Sequence, residues 1–217
     1  MFHYLYTQIR TLIAPPLCSY CKIFLSQPDI LCSTCAGRIL PIVSNSMPIN
    51  ARYTMPVHAI SAYQDPLKSL ILAKSYSNIV ASAQLGELMW QRTNIAQAQF
   101  DYIVPIPLHW TRFARRGFNQ AHEMAKVISK HSGKPVHTLL QRTKRTQYQA
   151  ALDAQERPSN VKDAFVLSAN NAPLYKDKHL LLVDDLMTTG STLRVAAREL
   201  ALLKPASMTA VVACRVV

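Results

Sequence analysis

The sequence predicts an α/β fold, a parallel sheet flanked by helices, with a small four-cysteine module ahead of it. Three observations lead there. From Val57 onward, short apolar runs of strand length alternate with amphipathic stretches of helical period. Two of those runs, "YIVP" and "LLLV", lack polar alternation, as expected of parallel strands covered on both faces. Four of the five cysteines fall in the first fifty residues, as two C-x2-C pairs. The 217 residues are enough for one core of ordinary size and a small appended unit. With 49% apolar residues and 17% charged, the chain is globular rather than disordered. The expected division is a cysteine module and linker over residues 1–50 and the α/β domain over 51–217.

The elements follow in order. The opening "MFHYLYTQIRTLIAPPL" is interrupted by His3, Gln8 and Arg10 and lacks the basic start, unbroken apolar centre and small-residue cleavage site of a secretion signal. No stretch approaches the roughly eighteen apolar residues of a membrane-spanning helix. The expectation is a soluble, cytoplasmic chain without membrane insertion, whose thiols stay reduced and whose cysteines need an explanation other than disulfides. "LPIVSNSMPINARYTMP", residues 40–56, mixes Pro, Ser and Asn with little periodicity and reads as a linker. "PVHAISAY" reads as a strand, the stretch from Pro66 to Thr93 as one or two helices, and "FDYIVPIPL" as a buried strand. In "NQAHEMAKVISKHSG" Ala121, Met124, Ala125 and Ile128 share one helical face, and Gly133 closes the helix. "HLLLV" is the next strand, "STLRVAARELALLKP" a helix and "MTAVVACRV" the last strand.

Cys18 and Cys21 form one pair, and Cys32 and Cys35 the other. Each pair can offer two thiolates to one ion, and an all-sulfur tetrahedral site suits structural zinc. A redox pair or an iron–sulfur cluster is the competing reading. The ion would hold together a segment too short to build its own core, so its removal should unfold residues 15–40. Cys214, in the last strand, reads as a buried apolar residue.

The densest signal is "LLLVDDLMTTGSTL", residues 180–193. Leu180 to Val183 would be a strand buried on both faces, with Asp184 and Asp185 emerging at its carboxyl end and a helix beginning near Thr192. Ligands of open α/β sheets sit at that edge. Backbone N–H groups at the helix start, close approach at Gly190, and hydroxyls from Thr188, Thr189, Ser191 and Thr192 would form a phosphate cup. Two carboxylates beside such a cup suit a diol or a divalent cation. Either half alone also reads as a turn and a capped helix.

This run resembles the phosphoribosyl-pyrophosphate (PRPP) motif of the type I phosphoribosyltransferases. The resemblance implies that Asp184 and Asp185 hold the ribose hydroxyls of PRPP and that residues 188–192 (Thr188, Thr189, Gly190, Ser191, Thr192) hold its 5′-phosphate, with Mg2+ accompanying the ligand. It implies a pyrophosphate loop in "DYIVPIPLHWTRFARRGFNQ", with Leu108, His109 and Trp110 after the strand and Lys74 as a further candidate. It also implies a mobile closing loop in "RTKRTQYQAALDAQERPSN". Together with the four-cysteine start, "IPLHWTRFARRGFNQA" and "RTQYQAALDAQERPSNVKDAF" resemble the ComF (ComFC) family of bacterial competence proteins over nearly the whole chain. That resemblance implies a part in natural transformation, in the handling of single-stranded DNA, alongside other competence proteins.

The charge points the same way. With 24 Lys and Arg against 12 Asp and Glu, the net charge of +12 attracts polyanions, whether nucleic acid, phosphorylated metabolites or anionic lipid. Arg112, Arg115 and Arg116, then Arg142, Lys144 and Arg145, lie among Phe113, Phe118 and Tyr148 and make a candidate single-strand path. The same arginines suit a pyrophosphate pocket, or a solvated face. Two functions are expected: a PRPP-binding, DNA-handling protein, or a true phosphoribosyltransferase acting on a small-molecule acceptor. The chain is expected to lack a glutaminase half, and no acceptor pocket or catalytic residue is legible.

Overall fold

The computed structural model describes residues 15–42, 44–73, 79–108, 111, 113–114, 117–143, 164–168 and 172–217. Lys74, His109, Trp110, Arg112, Arg115, Arg116, Lys144, Arg145 and Tyr148, and most of the expected closing loop, lie outside them. In chain order the elements are α1 Ser33–Ala36, β1 Asn45–Pro48, β2 Thr54–Ala62, α2 Leu67–Ala73 and α3 Ile79–Arg92. There follow β3 Tyr102–Pro105, α4 Gln120–Ser132, β4 Leu140–Arg142, β5 Phe165–Leu167, α5 Ala172–Tyr175, β6 His179–Met187, α6 Ser191–Ala201 and β7 Ser207–Arg215.

Five strands form one sheet in the order β1-β2-β7-β6-β3. β2, β7, β6 and β3 run parallel, and β1 joins β2 antiparallel as an edge hairpin. The central strands read as continuous apolar runs because both faces are covered. Along β6, Leu180 and Leu182 enter one apolar layer with Leu193, Ala196, Ala197 and Leu200 of α6 and Leu140 and Phe165 of the β4–β5 pair. Leu181 and Val183 enter the other, with Leu70 of α2, Leu85 and Met89 of α3, and Met124 and Ile128 of α4. Each of the larger side chains, Leu, Val, Ile, Met or Phe, contributes about 1.5–3 kcal/mol when fully buried.

α4 is built as its sequence suggests. The Asn119 side chain accepts from the Ala121 N–H, Gly133 closes the helix at φ +70°, and the expected face is buried. That face meets α3 at Gly86, where a Cβ would stand 2.9 Å from the Met124 Cα and carbonyl oxygen. Only a glycine admits so close a crossing. Farther along, His131 Nε2 pairs with Glu87 Oε2 at 2.8 Å and stacks on Trp90, so the two helices run parallel.

The linker reading of residues 40–56 is corrected. Asn45–Pro48 pairs with β2, and Met47, Ile49, Tyr53 and Met55 are core residues. An edge strand four residues long, containing a proline, carries too little periodicity to announce itself. The Tyr53 hydroxyl donates to the Pro205 carbonyl at 2.8 Å and Arg198 Nε to that of Ile49 at 3.2 Å, fixing the hairpin to the α6 side. Among the described residues no helix is long and apolar enough to cross a membrane.

Candidate functional site

The cysteine pairs are brought together by two local devices. Cys18 and Cys21 flank a tight turn in which the Lys22 N–H donates to the Cys18 carbonyl at 3.0 Å, with Lys22 at φ +62°. Cys32 caps α1 with its sulfur, which accepts from the Cys35 N–H at 3.4 Å. The four Sγ atoms lie within 4.8 Å of one another, Cys21 and Cys32 at 3.7 Å. A tetrahedral ion with Zn–S bonds of about 2.3 Å separates its sulfurs by about 3.8 Å, so these four thiols can hold a structural zinc.

Their acidities belong to the set rather than to single residues. Burial pushes the Cys18 thiol up, but the backbone N–H groups of Cys32, Cys21 and Tyr20 and the Cys21 thiol outweigh it and hold it at about 6. Burial and the neighbouring thiols of Cys32, Cys21 and Cys18 push Cys35 up to about 12. Four thiols this close resist ionising together, and a divalent cation removes that resistance. Ile30, Leu31 and Ile39 of the module share the apolar layer of α2, α3 and α4, so it leans on the main body. Cys214 is fully buried.

The second site lies at the carboxyl edge of the sheet. β6 does not stop at Val183 as the sequence suggests. Asp184 pairs with Val212, Leu186 with Cys214 and Met187 with Arg215, because β7 runs on to Arg215 and supplies ladder partners. The two carboxylates are therefore presented from a strand, half-buried, and Asp184 Oδ1 accepts from the Asp185 N–H at 2.9 Å. The chain then turns through exposed Thr188 and Thr189 into α6, which begins at Ser191, one residue before the expected start. Gly190 is the cap, at φ +74°. A Cβ there would collide with Met47 Cε, and Met187 Cε lies 3.3 Å away. Glycine suits the backbone angle, and any Cβ there would have to push aside the flexible end of Met47.

The Thr189 and Ser191 hydroxyls share a hydrogen bond of 2.7 Å, and Thr189 Oγ1 accepts weakly from the Ser191 N–H at 3.4 Å. Ser191 and Thr192 are half-buried, and the first turn of α6 has no acidic side chain to compensate its positive end. An acidic strand end, a hydroxyl-lined turn and an uncompensated helix start thus stand within nine residues. The set fits a ligand with a diol or bound cation at one side and a phosphate at the other.

The β3 end is adjacent. The Ile106 N–H donates to the Val183 carbonyl at 2.9 Å, so half-buried Leu108 follows directly beside β6. Asn119, which the sequence reading did not single out, bonds the Ile106 carbonyl at 3.0 Å while capping α4 and so closes the base of the loop after β3. Met47 was missed too, hidden in the linker. Arg142 lies half-buried on β4 with its guanidinium 5.4 Å from the Phe165 ring centre. Of the aromatics expected beside the basic clusters, Phe113 is exposed, but Phe118 is buried and offers no stacking face.

Comparison with known proteins agrees with this architecture. Residues 75–216 match the phosphoribosyl transferase domain, which defines the class. Competence protein F of Haemophilus influenzae is 33% identical over 150 residues, 65% of this chain and 64%, just under two thirds, of that protein. The DNA utilization protein YhgH of Escherichia coli K12 is 30% identical over 197 residues, 85% of this chain and 83% of the relative. Competence protein ComFC of Bacillus subtilis is 35% identical over 96 residues, 44% of this chain and 36% of its own. The chain belongs to the ComF family of competence and DNA utilization proteins and carries a phosphoribosyltransferase domain of the type I fold.

Proposed function

We propose that the chain binds PRPP with Mg2+ and handles incoming single-stranded DNA in the cytoplasm during natural transformation. One observation carries the PRPP half: the acidic end of β6 runs through exposed Thr188 and Thr189 and a glycine cap at φ +74° into a helix start with no acidic side chain to compensate it. In this reading Asp184 and Asp185 take the ribose hydroxyls or the cation, and residues 188–192 take the 5′-phosphate. Lys74, Leu108, His109 and Trp110 serve the pyrophosphate. Four cysteines hold a structural zinc. The DNA half is supported by the competence and DNA utilization names of the relatives and by the net charge of +12. Arg112, Arg115, Arg116, Arg142, Lys144 and Arg145 are its first candidates, and other competence proteins are candidate partners.

The test is calorimetric titration of the protein with Mg2+ and PRPP, beside an Asp184→Asn, Asp185→Asn variant. Saturable binding that the variant loses is expected; no binding by the native chain would overturn the PRPP reading. A second reading, a true phosphoribosyltransferase with a small-molecule acceptor, is favoured by the domain match across residues 75–216. Acceptor-dependent pyrophosphate release would support it over binding alone.

A further inference from the structure

The opposite edge of the sheet, where the parallel strands begin, carries a row of cations that the PRPP site does not use. Arg52 stands just before β2, Lys204 before β7, and Lys176 and Lys178 before β6; all four are exposed. Because β2, β7 and β6 are neighbours, the cations form one line across the edge. With strands about 4.8 Å apart, the line from β2 to β3 spans about 14 Å. Six residues of strand separate Lys178 from Asp184, about 20 Å at 3.3 Å per residue.

Backbone bonds hold the line in place. The Asp177 N–H donates to the Lys204 carbonyl at 3.0 Å, and the Ala206 N–H to that of Lys178 at 2.8 Å. Lys204 has φ +53° and Asp177 φ +58°, angles that suit glycine or asparagine better than lysine. Among the described residues none of the four cations forms an ion pair. Three carboxylates lie nearby, Asp101, which accepts from the His179 N–H at 2.9 Å, Asp177 and Glu199, so these groups leave the edge with a balance of +1.

The row ends on aromatic rings. Tyr102, the first residue of β3, is half-buried and packs against half-buried His137 with ring centres 4.6 Å apart. His137 Nδ1 shares a hydrogen bond of 3.0 Å with the hydroxyl of buried Tyr175, the residue before Lys176. Tyr175 also meets the Tyr102 ring edge-on at 5.3 Å. A basic track ending at partly accessible rings is the chemistry that binds unpaired bases and their backbone; paired bases offer no free face to such rings.

We propose that this edge is a second nucleic-acid surface for single-stranded DNA, with Arg52, Lys204, Lys178 and Lys176 taking phosphates and Tyr102 and His137 stacking a base. It rests on the DNA-handling reading above. It adds a track at the amino-terminal ends of the strands, the end of the sheet opposite the PRPP loop.

The experiment is fluorescence anisotropy of a labelled oligothymidylate against the full chain over a salt series, with a Lys176→Gln, Lys178→Gln, Lys204→Gln variant and a Tyr102→Leu variant. Loss of three phosphate contacts should lower the slope of log K against log salt by about 2. Tyr102→Leu should weaken binding about tenfold with the slope unchanged, since stacking releases no counterions. Mg2+ and PRPP titration of the lysine variant should match the native chain, which shows that the fold is intact. If the native chain binds the oligomer and the lysine variant keeps its affinity and slope, the edge is a solvated surface and the proposal fails alone. If the native chain does not bind, the DNA-handling reading fails and this proposal with it.

Discussion

Gly190→Ala puts the packing of the ligand loop to a direct test. The alanine must adopt φ +74°, which costs an L-residue about 1–2 kcal/mol. Its Cβ must also displace the end of Met47, a 3%-exposed side chain wedged beside Met187, and overpacking of this kind costs about 1–3 kcal/mol. The unfolded chain, less flexible with alanine, returns about 0.4–1 kcal/mol. The net is about 2–4 kcal/mol, a fall in melting temperature of about 5–15 °C for a domain of this size. Urea and thermal unfolding of the single variant, of Met47→Ala and of the double variant would measure it. Met47→Ala alone leaves a cavity and destabilises by about 2–5 kcal/mol, but in the Gly190→Ala background it removes the collision. The cycle should therefore show a favourable coupling of about 1–3 kcal/mol between the two sites. A neutral Gly190→Ala, or strictly additive costs, would refute the claim that Met47 closes the floor of the loop.

Two further predictions concern the module and a histidine of β2. The purified protein should carry zinc near one ion per chain, and chelation should make the chain cleavable by trypsin after Lys22 and Arg38, both at the surface, while α3 and α4 stay protected; a protein purified gently without zinc would refute the metal reading. His58, whose Nδ1 lies 2.9 Å from Ser44 Oγ, is pushed below the ordinary histidine range by burial. Its neutral form is favoured by folding, so its contribution is complete above the unfolded value of about 6.5 and is lost as pH falls below it. A His58→Gln chain should show a flatter stability curve between about pH 6.5 and 5, and an unchanged curve would mean that the burial effect is negligible.

How much was legible can be followed residue by residue. The alternation from Val57 onward gave the layers because both-face burial demands unbroken apolar runs, and it gave the buried face of α4 through Ala121, Met124, Ala125 and Ile128. The cysteine spacing announced four thiols able to share one ion, since two residues between cysteines suffice to turn both sulfurs inward. "VDDLMTTGST" announced a ligand loop because carboxylates, hydroxyls and a glycine meet at a strand-to-helix junction.

Other facts depended on contacts distant in sequence. β6 runs through its two aspartates because β7 is long enough to pair with them, which residues 180–187 alone do not reveal. Residues 45–48 become a strand because β2 leaves an edge to which they can bond, and Met47 then reaches a glycine 143 positions away. The cationic row is likewise dispersed: Arg52, the Lys176 and Lys178 pair, and Lys204 are far apart in the chain and become neighbours only because their strands lie side by side. A sequence fixes the chemistry and period of each segment, whereas pairing between segments is set by burial and hydrogen bonding summed over the whole sheet.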